Sequence, residues 1–373
     1  MSIQLRSEIK SNNSLTLSLV HTEIPEPAED EVVVRIEAAP INPSDLGLLF
    51  GPANMNEAIL SGITEKPVVT APVAEALMEA VSSRINQSMA VGNEGAGVVV
   101  ATGSSECARA LMGKVVAAAG GGMYSQHRVL NAKQCMVMPD NVTPAQAASS
   151  FVNPLTALAM TETMRAEGHT ALVHTAAASN LGQMLNKVCL ADGINLVNIV
   201  RNPQQVEILR NIGAKYIINS TSDTFHEELL SALLATGATL AFDAIAGGEL
   251  ANDIFSAMEA AANQSASDFS RYGSTTHKQI YMYGGLDRRP STLKRNYGMA
   301  WGIGGWLLTA SLQKLGINKT KTLQNRVIEE ILTTFKSNYD NEISLAQAIH
   351  PNTISLYGKQ ATGKKFLINP SKA

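Results

Sequence analysis

The sequence predicts an α/β protein of two domains, in which a β-rich domain accompanies a domain built on a doubly wound parallel sheet. A chain of 373 residues exceeds what one hydrophobic core usually serves, and a hydrophobic fraction of 45% is enough for sizeable cores. The pattern also changes near residue 150: short apolar runs separated by Pro and Gly precede it, and β-type runs alternating with helical patterns follow it. Length and this change of pattern together support the fold class.

The first domain is expected to be mostly β. Its apolar runs, such as residues 31–38 and 97–101, are short and are separated by turn-forming residues. The tail over residues 343–368 returns to short strand-like pieces. We therefore expect residues 1–150 and 340–373 to form this domain.

The second domain, residues 151–339, shows the alternation typical of a parallel sheet. The strand-like residues 170–175 precede a helical pattern over residues 181–191, and a further strand-like run follows at residues 194–200. The series continues to residues 279–283. Because doubly wound sheets bind ligands at the carboxyl ends of their strands, we expect the chemistry to lie there.

The composition argues against several classes of function. The formal net charge is -3 and aromatic residues make up 5%, so the basic, aromatic surface of a nucleic-acid binder is not expected. The longest apolar stretch, residues 299–312, is short and contains three glycines, which argues against a membrane role. Residues 1–10 lack the apolar run of a secretory signal, and Cys107, Cys135 and Cys189 are widely spaced, which favours a reducing, cytoplasmic location.

The turn after the first strand of the second domain is the expected phosphate site. A dinucleotide needs small residues here, so that backbone N–H groups and a helix N-terminus can approach the pyrophosphate. The predicted cofactor-binding residues of this turn are Ala176, Ser179, Asn180, Leu181 and Gly182. They do not spell Gly-x-Gly-x-x-Gly, so a tight turn with a Ser or Asn helix cap remains the alternative.

Arg201 follows the second strand of this domain, where an NAD enzyme would have Asp or Glu. A carboxylate accepts from the ribose 2′-hydroxyl, whereas an arginine pairs with a 2′-phosphate through charged, bidentate hydrogen bonds. The residue therefore favours NADPH over NADH. A solvated arginine at a strand end is the alternative.

Five motifs of the chain resemble those of the medium-chain dehydrogenase/reductase superfamily, in particular its zinc-free quinone oxidoreductase branch. They are Ile-Asn-Pro-Ser-Asp at residues 41–45, Gly-Asn-Glu-Gly-Ala-Gly at 92–97, Asn-Pro-Leu-Thr-Ala at 153–157, the phosphate turn, and Ala-Thr-Gly-Lys at 361–364. The resemblance covers nearly the whole chain. It implies a GroES-like β domain completed by the C-terminal tail, and a Rossmann domain that binds the dinucleotide.

The resemblance also implies chemistry without a metal. Zinc-dependent members of the superfamily carry a cysteine where this chain has Asn42 and a histidine where it has Asn93, and a neutral amide is a poor zinc ligand. No cysteine stands near Thr156 to supply a third ligand. Without a Lewis acid, the expected acceptor is already electrophilic, such as a quinone or an activated enone.

Several residues are assigned to the reaction by the same resemblance. Asn42 and Thr156 would lie near the nicotinamide or the acceptor. Apart from the resemblance, Tyr124 and His127, which follow a run of glycines, are candidate proton donors to a developing enolate or quinol oxygen. The segment that would pass close to the nicotinamide ring is Tyr283, Gly284 and Gly285. Packing is the alternative for Tyr124, a turn before proline for Asn42, and a strand end for the two glycines.

We therefore predict an NADPH-dependent oxidoreductase that transfers hydride to a quinone or activated enone and forms a homodimer through residues 279–283. Two alternatives remain: an enoyl-thioester reductase, and an NADPH-binding protein without turnover. Residues 51–54 lack the tyrosine that enoyl reductases often use as a proton donor, which argues against the first.

Two added segments interrupt the family pattern. The first, residues 54–89, contains a predicted helix over residues 74–85 and is expected to roof the acceptor pocket. The second, residues 263–278, is polar and is expected to border the cofactor. Surface decoration is the alternative for both.

Overall fold

The computed structural model describes residues 1–63, 66–360, 362 and 365–372. The chain forms two compact units, Met1–Val152 together with Gln324–Ala373, and Asn153–Leu323. Gln324 comes before residue 340, which the sequence pattern predicts as the start of the return to the first domain. Of the motif at residues 361–364, only Thr362 belongs to the described residues; the other three lie outside them.

Residues 1–152 form short strands with brief helical segments between them. The strands are β1 (Ser2–Lys10), β2 (Ser14–Thr22), β3 (Glu31–Pro40), β4 (Ile59–Ile63), β5 (Lys66–Pro72), β6 (Met89–Ala90), β7 (Glu94–Thr102), β8 (Val115–Ala119), β9 (His127–Asn131) and β10 (Met136–Val137). The helices are α1 (Pro43–Leu49), α2 (Glu75–Met78), α3 (Glu106–Arg109) and α4 (Pro144–Ala147), with 3-10 turns at Met55–Glu57, Glu79–Arg84 and Ala132–Gln134. Helices α1 and α4 both begin with proline, which presets φ and loses no helical hydrogen bond at that position.

The following part of the chain alternates helices and strands. Its helices are α5 (Val152–Ala166), α6 (Asn180–Asp192), α7 (Pro203–Ile212), α8 (Phe225–Thr236), α9 (Leu250–Gln264) and α10 (Leu308–Glu329), the last broken at Gly316. Its strands are β11 (Ala171–Thr175), β12 (Asn195–Val200), β13 (Tyr216–Asn219), β14 (Leu240–Asp243), β15 (Lys278–Met282) and β16 (Trp301–Gly305). They pair in parallel in the order β13-β12-β11-β14-β15-β16. The strand order reverses between β11 and β14, so a ligand crevice is expected at the carboxyl ends of these two strands.

The C-terminal tail completes a sheet of the first unit. It contributes β17 (Asn341–Ile343), α11 (Leu345–Ile349), α12 (Pro351–Tyr357) and β18 (Phe366–Ile368). Strand β18 pairs antiparallel with β3 and parallel with β17, which gives the order β10-β8-β7-β3-β18-β17, with β9 also on β3. The other sheet has the order β4-β5-β2-β1-β6. Both contribute to one hydrophobic core that includes Leu5, Leu15, Val34, Ile36 and Ile368.

The α/β fold class predicted from the sequence, a β-rich part with a doubly wound parallel sheet, is therefore confirmed. No helix within the described residues is long and apolar enough to span a membrane.

The first added segment extends the sheet of β1 and β2. Strands β4 and β5 form a hairpin, and β5 pairs antiparallel with β2. The helix predicted over residues 74–85 is present as α2 followed by the 3-10 turn Glu79–Arg84. The hairpin was not predicted: β5 buries alternate residues, but the adjacent Val68 and Val69 interrupt that alternation in the sequence.

One expectation about the second unit is corrected by its packing. Strand β15 lies between β14 and β16, so residues 279–283 do not form the free sheet edge expected for a homodimer. Lys278, at the end of the second added segment, is fully buried, and its Nζ donates to Glu259 Oε2 at 2.6 Å and to Ser274 Oγ at 2.8 Å. The ammonium is held by the fold because a buried charge must be paired.

Candidate functional site

The turn between β11 and α6 is narrow and built from small residues. Ala176 adopts a left-handed backbone with φ 51°, which reverses the chain directly after the strand. Ser179 is the N-cap of α6, and its Oγ accepts from Gly182 N at 3.1 Å. This geometry fits the alternative given for these residues, a tight turn with a Ser helix cap, and it is compatible with the predicted phosphate site.

Gly182 has no room for a side chain. A Cβ at this position would lie 2.1 Å from the carbonyl oxygen of Ala177, which is backbone and cannot rotate away. The first turn of α6 therefore lies directly against the preceding loop. In dinucleotide-binding turns, the last small residue has this role: it lets the helix pack closely on the preceding segment.

The buried carboxylate of Asp243, at the end of β14, links this turn to that strand by hydrogen bonds. Thr175 Oγ1 donates to Asp243 Oδ1 at 2.7 Å and accepts from Ala244 N at 2.8 Å. The carboxylate of Asp243 also accepts from Ile245 N at 2.8 Å and Ala246 N at 3.1 Å. The ends of β11 and β14 are thus fixed to each other at the point where the strand order reverses. Sequence reasoning missed this pair, although an Asp that ends a strand is a usable signal.

Arg201 follows β12, the strand next to β11 in the sheet. Its backbone N donates to Gln205 Oε1 at 3.0 Å, and Asn202 caps α7 by accepting from Gln205 N at 2.9 Å. The side chain of Arg201 is exposed. The backbone is therefore held at the strand end while the guanidinium extends toward solvent.

Tyr283 follows β15 and pairs with a histidine that sequence reasoning did not single out. Its hydroxyl lies 2.7 Å from His174 Nε2, and the two rings are nearly parallel, at 15° with centroids 5.8 Å apart. Burial lowers the pKa of His174 to about 3, so this imidazole is neutral. Burial, and the nearby Asp243, raise the pKa of Tyr283 far above its ordinary value, so the phenol keeps its proton.

The two glycines after Tyr283 differ in their surroundings. A Cβ on Gly284 would lie 2.7 Å from Ala244 O, so only glycine fits there, whereas a Cβ on Gly285 would meet open space. Both residues are exposed. The segment predicted to face the nicotinamide therefore lies against β14 on one side and is open on the other.

In the first unit, Asn42 belongs to a buried polar network around Glu94. Asn42 is 1% exposed, and its Nδ2 donates to Glu94 Oε1 at 2.8 Å. The other carboxylate oxygen, Glu94 Oε2, accepts from Phe151 N at 2.8 Å and from Val152 N at 2.9 Å. Among the described residues, Asn42 Oδ1 has no hydrogen-bond partner although it is buried.

A second carboxylate ties the first two family motifs together. Asp45 Oδ2 accepts from Asn42 N and Asp45 Oδ1 accepts from Asn93 N, both at 2.8 Å. Burial raises the pKa of Asp45 to about 7, because desolvation outweighs the two backbone hydrogen bonds that lower it. Its bonds go to the backbone of the loops, which agrees with a structural rather than an acid-base role.

Lys365 lies close to the same network. Its Nζ donates to Ser149 Oγ at 2.7 Å, and Ser149 Oγ donates to Glu94 Oε1 at 3.4 Å. Burial lowers the pKa of Lys365 to about 8, against the opposing effect of Glu94 and Asp45. Lys365 comes directly before β18, and nothing in the sequence indicated that it would lie near Glu94.

The remaining predicted residues of the reaction are both buried. Tyr124 is fully buried, and its hydroxyl donates to the carbonyl of Pro40 at 3.1 Å. A Cβ on Gly92 would lie 2.5 Å from the ring of Tyr124, so this glycine and the tyrosine pack directly together. These contacts favour the packing alternative for Tyr124. Thr156 lies in α5 and is 7% exposed.

The described residues contain no group of three or more His, Cys, Asp or Glu side chains that could hold a metal ion. The predicted site residues divide between the two units: Asn42 and Tyr124 belong to the first, and Thr156 with all the predicted cofactor residues belongs to the second.

Comparison with known proteins gives relatives of two kinds. The chain is 30% identical over 210 residues to a mitochondrial enoyl-[acyl-carrier-protein] reductase of Xenopus tropicalis, a match covering 54% of this chain and 51% of that protein. It is 35% identical over 149 residues to a quinone oxidoreductase of Pseudomonas aeruginosa, covering 39% of this chain and 44% of that protein. The chain thus spans about half the length of the curated relatives it matches. No protein-family model matches it.

Solved structures match over nearly the whole chain. A Mesorhizobium loti protein provisionally assigned as an NADPH:quinone reductase has a TM-score of 0.73 at 23% identity, covering 99% of this chain and 98% of that one. Escherichia coli quinone oxidoreductase in complex with NADPH has a TM-score of 0.66 at 17% identity, covering 99% and 100%. A mutant enoyl thioester reductase of Candida tropicalis has a TM-score of 0.66 at 17% identity, covering 99% of each chain.

The class defined by this fold is a two-unit protein in which a β-rich unit accompanies a Rossmann-type parallel sheet. Its structural neighbours and sequence relatives are quinone oxidoreductases and enoyl reductases. The chain therefore has the fold of the medium-chain dehydrogenase/reductase superfamily, and the resemblance recognised in its motifs is confirmed.

Proposed function

We propose that this protein is an NADPH-dependent oxidoreductase that reduces a quinone or an activated enone without a metal. The observation that carries the proposal is the turn between β11 and α6, where Gly182 tolerates no Cβ and the start of a helix is brought against small residues. Such a turn suits a pyrophosphate through backbone N–H groups and the helix dipole. The NADPH complex of the structurally similar Escherichia coli quinone oxidoreductase supports this choice of cofactor.

Each part of the cofactor has proposed partners on this chain. NADPH, when bound, supplies the hydride. Residues 176–182 would hold the pyrophosphate, and the exposed guanidinium of Arg201 would pair with the 2′-phosphate. Tyr283, Gly284 and Gly285 would border the nicotinamide, where the open space at Gly285 would admit a flat ring.

Asn42 and Thr156 are the residues that we propose to contact the acceptor or the nicotinamide. A quinone takes one hydride and a proton to become a hydroquinone, and an enone takes a hydride at its β-carbon and a proton at its α-carbon. We do not assign the proton to Tyr124, because its hydroxyl is buried and already donates to Pro40. Solvent is the proposed proton source.

An enoyl-thioester reductase is the second candidate, and the 30% identity to the Xenopus tropicalis enoyl-[acyl-carrier-protein] reductase favours it. Two observations weigh against it. Residues 51–54 contain no tyrosine to donate a proton. Of the two basic residues in the first added segment, Arg84 already donates to Gly47 O at 3.1 Å and Leu48 O at 2.9 Å, so it is not available for an acyl carrier.

The acceptor is tested by stopped-flow oxidation of bound NADPH. The panel is 1,4-benzoquinone, 9,10-phenanthrenequinone, an alkenal and crotonyl-CoA. Fast turnover of a quinone or the alkenal is expected. Turnover of crotonyl-CoA alone would replace the leading assignment by the second candidate, and NADPH binding without any turnover would indicate a non-catalytic protein.

Cofactor choice is tested with the variant Arg201→Asp. We expect it to weaken NADPH binding about tenfold to a hundredfold and NADH binding far less, because only NADPH carries the 2′-phosphate. The matched control is Arg210→Asp on α7, which makes the same charge change at an exposed arginine paired with Glu207. Equal weakening of both dinucleotides by Arg201→Asp would reject the phosphate role.

We also propose a homodimer in the cytoplasm. Strand β16 is the last strand of the parallel sheet, so its outer edge offers unpaired backbone groups to a second copy. Cys107 and Cys135 are free thiols, which supports a reducing compartment. Light scattering of the purified protein tests the dimer, and a monomer at micromolar concentration would contradict it.

A further inference from the structure

The carboxyl end of the parallel sheet carries a pair of side chains, His174 and Tyr283, whose hydroxyl and imidazole groups have no role in the hydride transfer proposed above. His174 is fully buried in β11, and Tyr283 follows β15, two strands away in the sheet. The hydroxyl of Tyr283 lies 2.7 Å from His174 Nε2. Tyr283 N donates to Asp243 O at 3.0 Å, which fixes the backbone that carries the phenol. The contact with His174 and the backbone hydrogen bond to Asp243 therefore both restrict the position of Tyr283.

The protonation of His174 follows from its surroundings. Burial lowers its pKa to about 3, so at neutral pH the ring carries a single N–H, on either Nδ1 or Nε2. Among the described residues, His174 Nδ1 has no hydrogen-bond partner. A proton on Nδ1 would leave an orphaned N–H donor in the core, whereas a proton on Nε2 leaves only a lone pair there. Orphaned buried N–H groups are the rarer and costlier case, which favours the Nε2–H tautomer.

The Nε2–H tautomer of His174 determines where the hydroxyl of Tyr283 can donate its hydrogen bond. His174 Nε2–H donates to the oxygen of Tyr283, so the O–H of Tyr283 is directed elsewhere. Burial and the nearby Asp243 raise the pKa of Tyr283 far above its ordinary value, so the group retains its proton throughout the physiological range. Tyr283 is thus a neutral hydrogen-bond donor and a poor acid. It stands beside the exposed Gly284 and Gly285, at the open end of the sheet.

We propose that His174 orients the hydroxyl of Tyr283 as a hydrogen-bond donor to a carbonyl oxygen of the bound ligand. Two carbonyl groups of this chemistry are present in the proposed reaction: the carboxamide of the nicotinamide and the carbonyl of the acceptor. The inference rests on the proposed function, because that function supplies both groups. It adds a positioning residue, His174, and a contact residue, Tyr283, whose role does not involve proton transfer.

The variant Tyr283→Phe removes the hydroxyl and keeps the ring. If the carboxamide is the partner, the Kd of NADPH rises about tenfold while that of 2′-phospho-ADP-ribose, which lacks the nicotinamide, is unchanged. If the acceptor is the partner, both dissociation constants are unchanged and kcat/KM for 1,4-benzoquinone falls about tenfold. Equal weakening of both nucleotides, or no change in any of the three quantities, would overturn the proposal.

The orienting role of His174 has its own pair of variants. His174→Gln keeps an N–H near the position of Nε2 and is expected to behave like the wild type. His174→Leu removes the donor and is expected to reproduce the loss of Tyr283→Phe, with no further loss when the two are combined. Additive losses in the double variant would contradict an action through Tyr283.

Nitrogen-15 NMR of the wild-type protein tests the tautomer without any variant. A neutral ring with its proton on Nε2 is expected from pH 5 to 8, and a proton on Nδ1 would overturn the inference. A wild-type protein that binds neither NADPH nor 2′-phospho-ADP-ribose would overturn the proposed function itself. If the wild-type protein binds NADPH and reduces quinone, and Tyr283→Phe has the same dissociation constants and the same kcat/KM as the wild type, only the inference about His174 and Tyr283 is overturned.

Discussion

Replacing Gly182 by alanine tests the narrow turn on which the proposed cofactor site depends. The added Cβ would lie 2.1 Å from the carbonyl oxygen of Ala177 and 2.5 Å from its carbonyl carbon. Non-bonded heavy atoms pack at about 3.5 Å, so the start of α6 must move by about 1 Å. Both neighbours are backbone and cannot rotate away, and overpacking of this kind costs about 1–3 kcal/mol of unfolding free energy.

The same displacement should also weaken cofactor binding. Moving backbone N–H groups by about 1 Å takes them out of the distance range of a hydrogen bond to the pyrophosphate, and loss of one such bond to a charged oxygen corresponds to about tenfold in affinity or more. We therefore expect Gly182→Ala to raise the Kd of NADPH at least about tenfold.

Two assays check this prediction: urea unfolding followed by circular dichroism, and titration of NADPH followed by its fluorescence. The control is Gly47→Ala in α1, where an added Cβ meets nothing within 4 Å. Alanine is the better helix former, so this variant should gain about 0.5–1 kcal/mol and bind NADPH normally. A Gly182→Ala protein with wild-type stability and wild-type affinity would refute the reasoning. Reduced stability with unchanged affinity would refute only the contact with the pyrophosphate.

Two further predictions concern buried charges. Lys278→Met should lower the free energy of unfolding by about 3 kcal/mol at pH 8, because it leaves the ionised Glu259 buried without its cation. The loss should be smaller at pH 5, where that carboxyl can accept a proton. Equal losses in urea unfolding at both pH values would contradict this. Burial raises the pKa of Asp45 from 3.8 to about 7, so the folded protein keeps a proton that the unfolded chain releases. The free energy of unfolding should therefore fall by up to about 4 kcal/mol as the pH rises from 4 to 7. Asp45→Asn removes this titration and should flatten the dependence in the same assay, whereas an unchanged slope would assign it to other groups.

The residues of the phosphate turn could be predicted because the requirements there are local. Small side chains, a Ser that caps the helix and a Gly at the point of closest approach all lie within residues 176–182, so the sequence contains the whole pattern. His174 and Tyr283 meet across 109 positions of the chain, and Lys365 meets Ser149 across 216. Such contacts depend on strand order and register, which single-sequence patterns do not specify.

The hairpin of β4 and β5 was missed for a different reason. Strand β5 pairs with β2 and buries alternate residues, but the adjacent Val68 and Val69 interrupt that alternation in the sequence. Strand β4 exposes all five of its residues although three of them are Ile or Leu, so its composition suggests a buried strand where the fold has an exposed edge. A helix over residues 74–85 was the stronger local signal, and it was only part of the segment.

The proposal of metal-independent chemistry depends on what the residues at the zinc-ligand positions are engaged in. Asn42 donates its amide nitrogen to Glu94, and the amide oxygen that remains is neutral and a poor zinc ligand beside thiolate or imidazole. Both oxygens of Glu94 already accept hydrogen bonds, one from Asn42 and Ser149 and the other from two backbone N–H groups. A metal ion here would have to displace several buried hydrogen bonds, each of which costs about 1–3 kcal/mol when left unmade. The network therefore holds Asn42 in a fixed orientation, in which Oδ1 has no donor among the described residues, and a ligand that offers an N–H or O–H would satisfy it.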